Sequence, residues 1–279
     1  MQQLNYNKRA MKHRIHSGNQ WIYLLSLLLL AACQSNTDST QRADRSTTLD
    51  TLTYEYKHFI RYSENLVRTT ETTDTSYFSV SYPVFPDSVV NDLVRASLLG
   101  SDTVSVERAA EQFIEDFDRF MASDPFPRVW TSESHARVQR ITPSYLGIVI
   151  DASSYTGGAH GNYATVFDHY DLASYQRLSL DDIVARPYQN ELTAVAERYF
   201  RRQEGLAVDE SLEDRYFFDD GHFSIPDNFA LGSDSLLFLY NIYEIKPYVD
   251  GQTALRVPYS EIDRLLTDRG KRIINEIKQ

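Results

Sequence analysis

The chain has one cysteine, two tryptophans and three methionines among 279 residues. A single Cys excludes an intramolecular disulfide framework and any all-Cys metal site. Basic residues are the minority: 28 Lys and Arg stand against 39 Asp and Glu, a formal charge of −11. A balance this acidic argues against sequence-independent nucleic-acid binding, which needs clustered cations to displace counterions. Also absent are a Walker A pattern, a Rossmann fingerprint, His-Glu-x-x-His and Gly-x-Ser-x-Gly. No internal repeat is visible. What is present is apolar content of 42%, enough for a sizeable core in one large domain or two small ones. Nineteen Tyr and fourteen Phe bring the aromatics to 13%. That composition suits a β-containing fold with polar, aromatic contact surfaces.

The first 32 residues read as an address. Lys8, Arg9, Lys12 and Arg14 precede the apolar run Trp21 to Ala32, with no acidic residue among them. The run is too short to span a bilayer comfortably and has the order of a secretory signal. Leu30-Ala31-Ala32-Cys33 resembles the bacterial lipobox, in which cleavage before the Cys leaves a thiol that takes a diacylglycerol. Met11 serves as a start as well as Met1 does. Gln34 and Ser35 follow the Cys with no Asp at the next position, which favours delivery to the outer membrane over retention at the inner one. The expectation is a periplasmic-facing cell-envelope lipoprotein, bound to the membrane through the lipid on Cys33. Loss of residues 1–32 leaves 24 basic against 39 acidic side chains, a charge of −15 over 247 residues. Such a surface attracts basic partners and repels anionic lipid and nucleic acid.

Residues 33–52 are polar and rich in Ser and Thr, a flexible tether with a reach of about 25 Å. Beyond it the pattern predicts α+β architecture: a mainly antiparallel sheet packed by helices, in two intimately associated subdomains, 53–165 and 166–279. Strands are expected from Tyr54, over 77–85, 136–141 and 145–153 as a hairpin turning at Pro143-Ser144, and then over 163–172, 229–231, 236–240 and 254–257. Helices are expected over 88–99, stopped by Gly100, and over 106–121 with Ser105 as N-cap. A short helix follows from Ser179, a longer one over 187–203, and a terminal helix from Pro258.

Two segments carry the chemistry worth weighing. The first is Tyr155-Thr156-Gly157-Gly158-Ala159-His160-Gly161-Asn162-Tyr163. Three glycines in five positions suit positive φ or close backbone approach. A His in such a loop binds a partner, relays a proton, ligates a metal, or simply bonds a nearby carbonyl. The second runs from Tyr240 to Gly251, where Tyr240, Tyr243 and Tyr248 lead through Pro247 into an Asp-Gly turn. Tyr is a rigid amphipathic contact group at loop tips, and equally a packing residue whose hydroxyl bonds backbone. Tyr155, Gly157, Gly158, His160, Asn162, Tyr163, Tyr240, Tyr243 and Tyr248 are therefore the candidate ligand- or partner-binding residues. No catalytic residue, metal set or cofactor is expected. His160 with His169, nine apart, fits no standard metal spacing, and Asp219-Asp220-Gly221-His222 reads first as a turn. Asp181-Asp182 and Glu115-Asp116 are adjacent, so on a helix they diverge. Ser153 and Ser154 near His160 lack a recognisable orienting carboxylate.

The loop 155–162, with Tyr170-Asp171-Leu172 and Leu178 to Ile183, resembles the paired extracytoplasmic domains of the RsiV-like and PdaC-like family. These are shared by a lysozyme-binding anti-sigma factor and a peptidoglycan deacetylase. Tyr240 to Gly251 and Val257 to Ile262 are similar to the end of the second domain. The likeness spans about 145–265 and is looser over 54–145. It implies a PdaC-like N-terminal and an RsiV-like C-terminal subdomain that bind cell-wall glycan or a glycan-cleaving enzyme. Neither sigma-factor binding nor deacetylation is carried over, because the chain shows neither a cytoplasmic sigma-binding region nor a following deacetylase domain.

Three functions remain open at this level: an envelope binding module for peptidoglycan or a basic lysozyme-like protein, a structural or assembly lipoprotein, and an envelope hydrolase using His160.

Overall fold

The computed structural model describes residues 52–101, 103–124, 126 and 128–279. The expected signal segment, the expected lipidation site Cys33 and the expected tether up to residue 51 lie outside them. Leu52, the last residue assigned to the tether, already packs against the first core. No helix among the described residues is long and apolar enough to cross a membrane.

A six-stranded sheet runs β1 (Glu55–Arg68), β2 (Thr73–Val84), β3 (Thr131–Ile141), β4 (Tyr145–Tyr155), β5 (Asn162–Asp171) and β6 (Gln176–Arg177), neighbour to neighbour in that order. Every pair is antiparallel except β2–β3. That one parallel pair needs a crossover, and α1 (Ser88–Leu99) with α2 (Val106–Ser123) supplies it. Asp87 caps α1 at Val89 N, and Gly100 in the left-handed region ends it. Ser105 Oγ accepts from Arg108 N at the start of α2. These local signals place both helices on one face of the sheet. There Phe78 and Val80 of β2, Ala136 of β3, and Leu146, Ile148 and Ile150 of β4 join Val90, Val94 and Ala110 in the first core.

A second core lies around a three-stranded antiparallel sheet of β7 (Phe229–Leu231), β8 (Ser235–Tyr240) and β9 (Thr253–Pro258). It is closed by α3 (Leu180–Ile183), α4 (Gln189–Glu204), α5 (Tyr259–Ile262) and α6 (Asp268–Ile277). The spacing of Leu192, Val195, Ala196 and Phe200 buries one stripe of α4, as its sequence implies. The terminal helix differs from expectation. It breaks after α5 into a 3-10 turn over Asp263–Leu265, and α6 starts anew with Thr267 Oγ1 accepting from Gly270 N.

The expected division between residues 165 and 166 falls inside β5, which pairs with β4 along its whole length. Strand β4 serves both cores: Leu146 and Ile148 enter the first, whereas Tyr145 enters the second. The outer edge of β5 is not continued by a long strand. Asn241 accepts from Thr165 N at 2.8 Å and Asn228 accepts from Phe167 N at 3.0 Å, while both amides donate to Thr165 O. Two side-chain amides thus do the bonding a neighbouring strand would do.

Candidate functional site

The turn between β4 and β5 (residues 156–161) and the loop between β8 and β9 (residues 241–252) meet at the β5 edge. Gly157 sits at φ 85°, a region costly for other residues, and its carbonyl accepts from Arg128 at 2.6 Å. Tyr155 donates to the Gly158 carbonyl at 3.0 Å, closing the turn from the other side. The amide clamp at Asn241 fixes the second loop, and Gln252 bonds Asn241 Oδ1 at 2.8 Å.

Four rings meet between the two loops. His160 stacks on Tyr248 with ring centroids 4.2 Å apart. Tyr243 O–H lies 3.1 Å from His160 Nε2, and Tyr163 meets Tyr248 edge-on at 6.0 Å. His160 Nδ1 is 2.9 Å from the Gly161 carbonyl, which can only accept. Nδ1 therefore carries the proton, and in the neutral ring Nε2 accepts from Tyr243. Tyr243 holds φ 64°, an uncommon backbone state for a non-glycine residue. Even so, Tyr243 is 52% and Tyr163 37% exposed, so the rings form a surface patch rather than a core.

The structure brings together Tyr155, Gly157, Gly158, His160, Asn162, Tyr163, Tyr243 and Tyr248 at this edge, with Asn162 exposed at the start of β5. Tyr240 is a correction. It is 3% exposed, its hydroxyl donates to the Ser224 carbonyl at 2.6 Å, and burial pushes its pKa up. It belongs to the second core. Missed by sequence reasoning were Arg128, Asn241 and Gln252, which hold the loops. Arg128 and Gly157, and Asn241 and Thr165, are too far apart in sequence to show any local signal.

Among the described residues, the side chains weighed for catalysis or metal binding lie apart or are engaged elsewhere. Among the described residues no carboxylate bonds His160. Ser154 pairs across the hairpin with Asn162. His169 is buried, with Nδ1 2.7 Å from Tyr145 O–H and Nε2 2.7 Å from the Phe229 carbonyl. Asp182 takes part in the capping box at Ser179 and pairs with Arg269, and Asp181 pairs with Arg186. No three His, Cys, Asp or Glu side chains converge as a metal set among the described residues. What the patch can do is offer aromatic faces and hydroxyls to a ligand that is both apolar and hydroxylated.

Comparison with known proteins gives a consistent picture. Residues 69–163 match the family model described as deacetylase PdaC, and residues 181–260 match DUF3298, described as a protein of unknown function. A curated relative, the peptidoglycan-N-acetylmuramic acid deacetylase PdaC of Bacillus subtilis, is 22% identical over 204 residues, covering 70% of this chain. The match takes in only 40% of that relative's length. A DUF3298 family structure from Bacteroides fragilis superposes with a TM-score of 0.65 at 24% identity, covering 81% of this chain and 98% of its own. Another, from Pseudomonas aeruginosa, gives 0.62 at 20% identity, covering 78% and 95% respectively. These likenesses establish the mixed α+β fold.

Proposed function

We propose that this chain, which carries a PdaC-like domain followed by a DUF3298 domain, is a non-catalytic binding module that recognises cell-wall glycan at the envelope. One observation carries the reading: His160 of the β4–β5 turn, Tyr163 at the start of β5, and Tyr243 and Tyr248 of the distant β8–β9 loop meet in a single patch at the surface. Pyranose rings present C–H faces that stack on aromatic rings and hydroxyls that bond phenol oxygens. Burial of those faces supplies the driving force, and the hydroxyls supply orientation. The acyl chain on Cys33 and the tether keep the patch within reach of the wall. The relative from Bacillus subtilis is by name a deacetylase of peptidoglycan N-acetylmuramic acid, which supports the same ligand class.

A second reading is a basic lysozyme-like partner, favoured by the charge of −15 on the chain from Cys33 onward. Calorimetry separates the two. N-acetylglucosamine oligomers are expected to give heat that hardly changes with salt and is lost in Tyr248→Ala at an unchanged melting temperature. A lysozyme signal that fades with salt, with no heat from sugar, assigns the protein partner instead. Silence with both ends the binding-module reading.

A further inference from the structure

We propose that the site extends from the ring patch across the open face of the six-stranded sheet, and that it takes a linear polysaccharide lying across the strands. This rests on the glycan reading above and specifies the form of the ligand.

The strand registers define the face. Paired residues share a side of a sheet, and alternate residues face opposite sides. The side bearing Phe59, Val80, Ser134 and Ala152 turns toward α1, α2 and the first core. The opposite side carries the row Ile60, Ser79, Glu133, Ser153 and Tyr163, one residue from each of β1 to β5. Beside it runs a second row, Tyr62, Tyr77, Thr131 and Tyr155. Tyr163 ends the first row and is itself a member of the ring patch, so the two surfaces are continuous.

This face is open over much of its area among the described residues, although Ser79, in the middle of the row, is buried by its neighbours. Tyr62 and Tyr56 are each 55% exposed, and His58, His135 and Ser153 are exposed beside them. The far end of the same face, at Tyr145, Gly147 and His169, is sealed by the second core, and Val149 next to it is buried as well. A sheet face turned to water normally carries charged side chains. This one carries tyrosines at its margins and, toward its middle, Ser153 and Thr131 beside His135, Glu133, Arg137 and Asp151. Its charges are engaged locally: Glu133 accepts from Tyr77 at 2.5 Å, and Asp151 is held by Arg137 and by Thr165. Ser81 bonds His135 at 3.0 Å. On a chain of −11 it is therefore a hydroxyl- and ring-rich strip, complementary to a neutral polyhydroxyl chain rather than to a basic protein.

The direction of the strip sets the ligand's shape. Four spacings of about 4.8 Å separate β1 from β5, so the row is about 19 Å long. A pyranose unit advances by about one strand spacing, so successive sugars would fall on successive strands. One sugar fills the patch; several are needed to reach Tyr62.

The test measures binding of di- and hexa-N-acetylglucosamine to the full chain in detergent micelles. The hexamer is expected to bind about tenfold more tightly than the dimer. Tyr62→Ala, at an exposed position, is expected to weaken the hexamer about fivefold and leave the dimer unchanged. Ser153→Arg, mid-row, is expected to bring hexamer binding down to the dimer's level. Tyr248→Ala weakens both. Equal affinity for both lengths overturns the extended site but keeps the patch. A hexamer indifferent to both Tyr62→Ala and Ser153→Arg does the same. Dimerisation of the protein that Tyr62→Ala abolishes gives the face to a second copy and also overturns it. Absence of binding at any length defeats the underlying glycan reading.

Discussion

His169 donates from Nε2 to the Phe229 carbonyl and accepts at Nδ1 from Tyr145, so the neutral ring uses both nitrogens between the two cores. Burial lowers its pKa from 6.5 to about 4. The unfolded chain takes up a proton as pH falls through 6.5, whereas the folded chain resists until about 4. Stability therefore declines across that window, by about 3 kcal/mol at most. The carboxylates with lowered pKa values, Asp87, Glu107, Asp151, Asp171 and Glu204, begin to lose their contribution only near their unfolded values of 3.8 and 4.5, at the foot of this window, and go on losing it below. Urea midpoints between pH 7 and 4 should fall steeply in the parent and more gently in His169→Gln; parallel slopes would refute the assignment. His160, so close in sequence, bonds its neighbours at the surface instead. Both imidazoles were visible as residues, but nothing local distinguished a buried bridge from an exposed ring. The same limit misplaced Tyr240: alternation of Tyr with apolar residues describes a strand, and only packing against Phe218 decides which tyrosine is inside.

Elements with their own punctuation were legible. The caps at Ser105 and Gly100, and the Pro143-Ser144 turn, act within a few residues and need no distant partner. The break between α5 and α6 was read through, because Ile262, Leu265, Ile273 and Ile274 keep nearly helical spacing and all face the core. Its signal was Thr267, which caps α6, together with Gly270 three residues on. A Cβ at Gly270 would lie 2.4 Å from the Ile183 carbonyl oxygen. That carbonyl also accepts from Thr267 N at 2.9 Å, so it is held in place. Alanine is the better helix former by about 1 kcal/mol, yet overpacking costs about 1–3 kcal/mol. Gly270→Ala should therefore lower the melting temperature in a thermal scan. A rise would mean that α3 yields easily and the approach is not tight.

At the scale of the molecule, the two cores are joined through polar groups as well as through β4. Glu276 of α6 accepts from Thr142 Oγ1 at 2.6 Å and from Ser144 N and Oγ at the β3–β4 turn. Asn228 and Asn241 clamp the β5 edge. Removing both amides leaves the Thr165 and Phe167 N–H groups without these acceptors, at about 1–3 kcal/mol each. Asn228→Ala with Asn241→Ala should split a single calorimetric transition into two; one transition shifted only slightly would show that β4 alone couples the cores. None of these joints was legible in the sequence, because each links residues that only the folded chain brings together.

The ring patch inherits a property from this arrangement. Its stacked pair takes His160 from the β4–β5 turn and Tyr248 from the β8–β9 loop, and the clamp at Asn241 holds the two loops together. The patch is therefore a coincidence detector for assembly. A copy whose halves have not docked, or that has been clipped and has come apart, presents two separate loops, and only the completed fold presents the four rings as one surface.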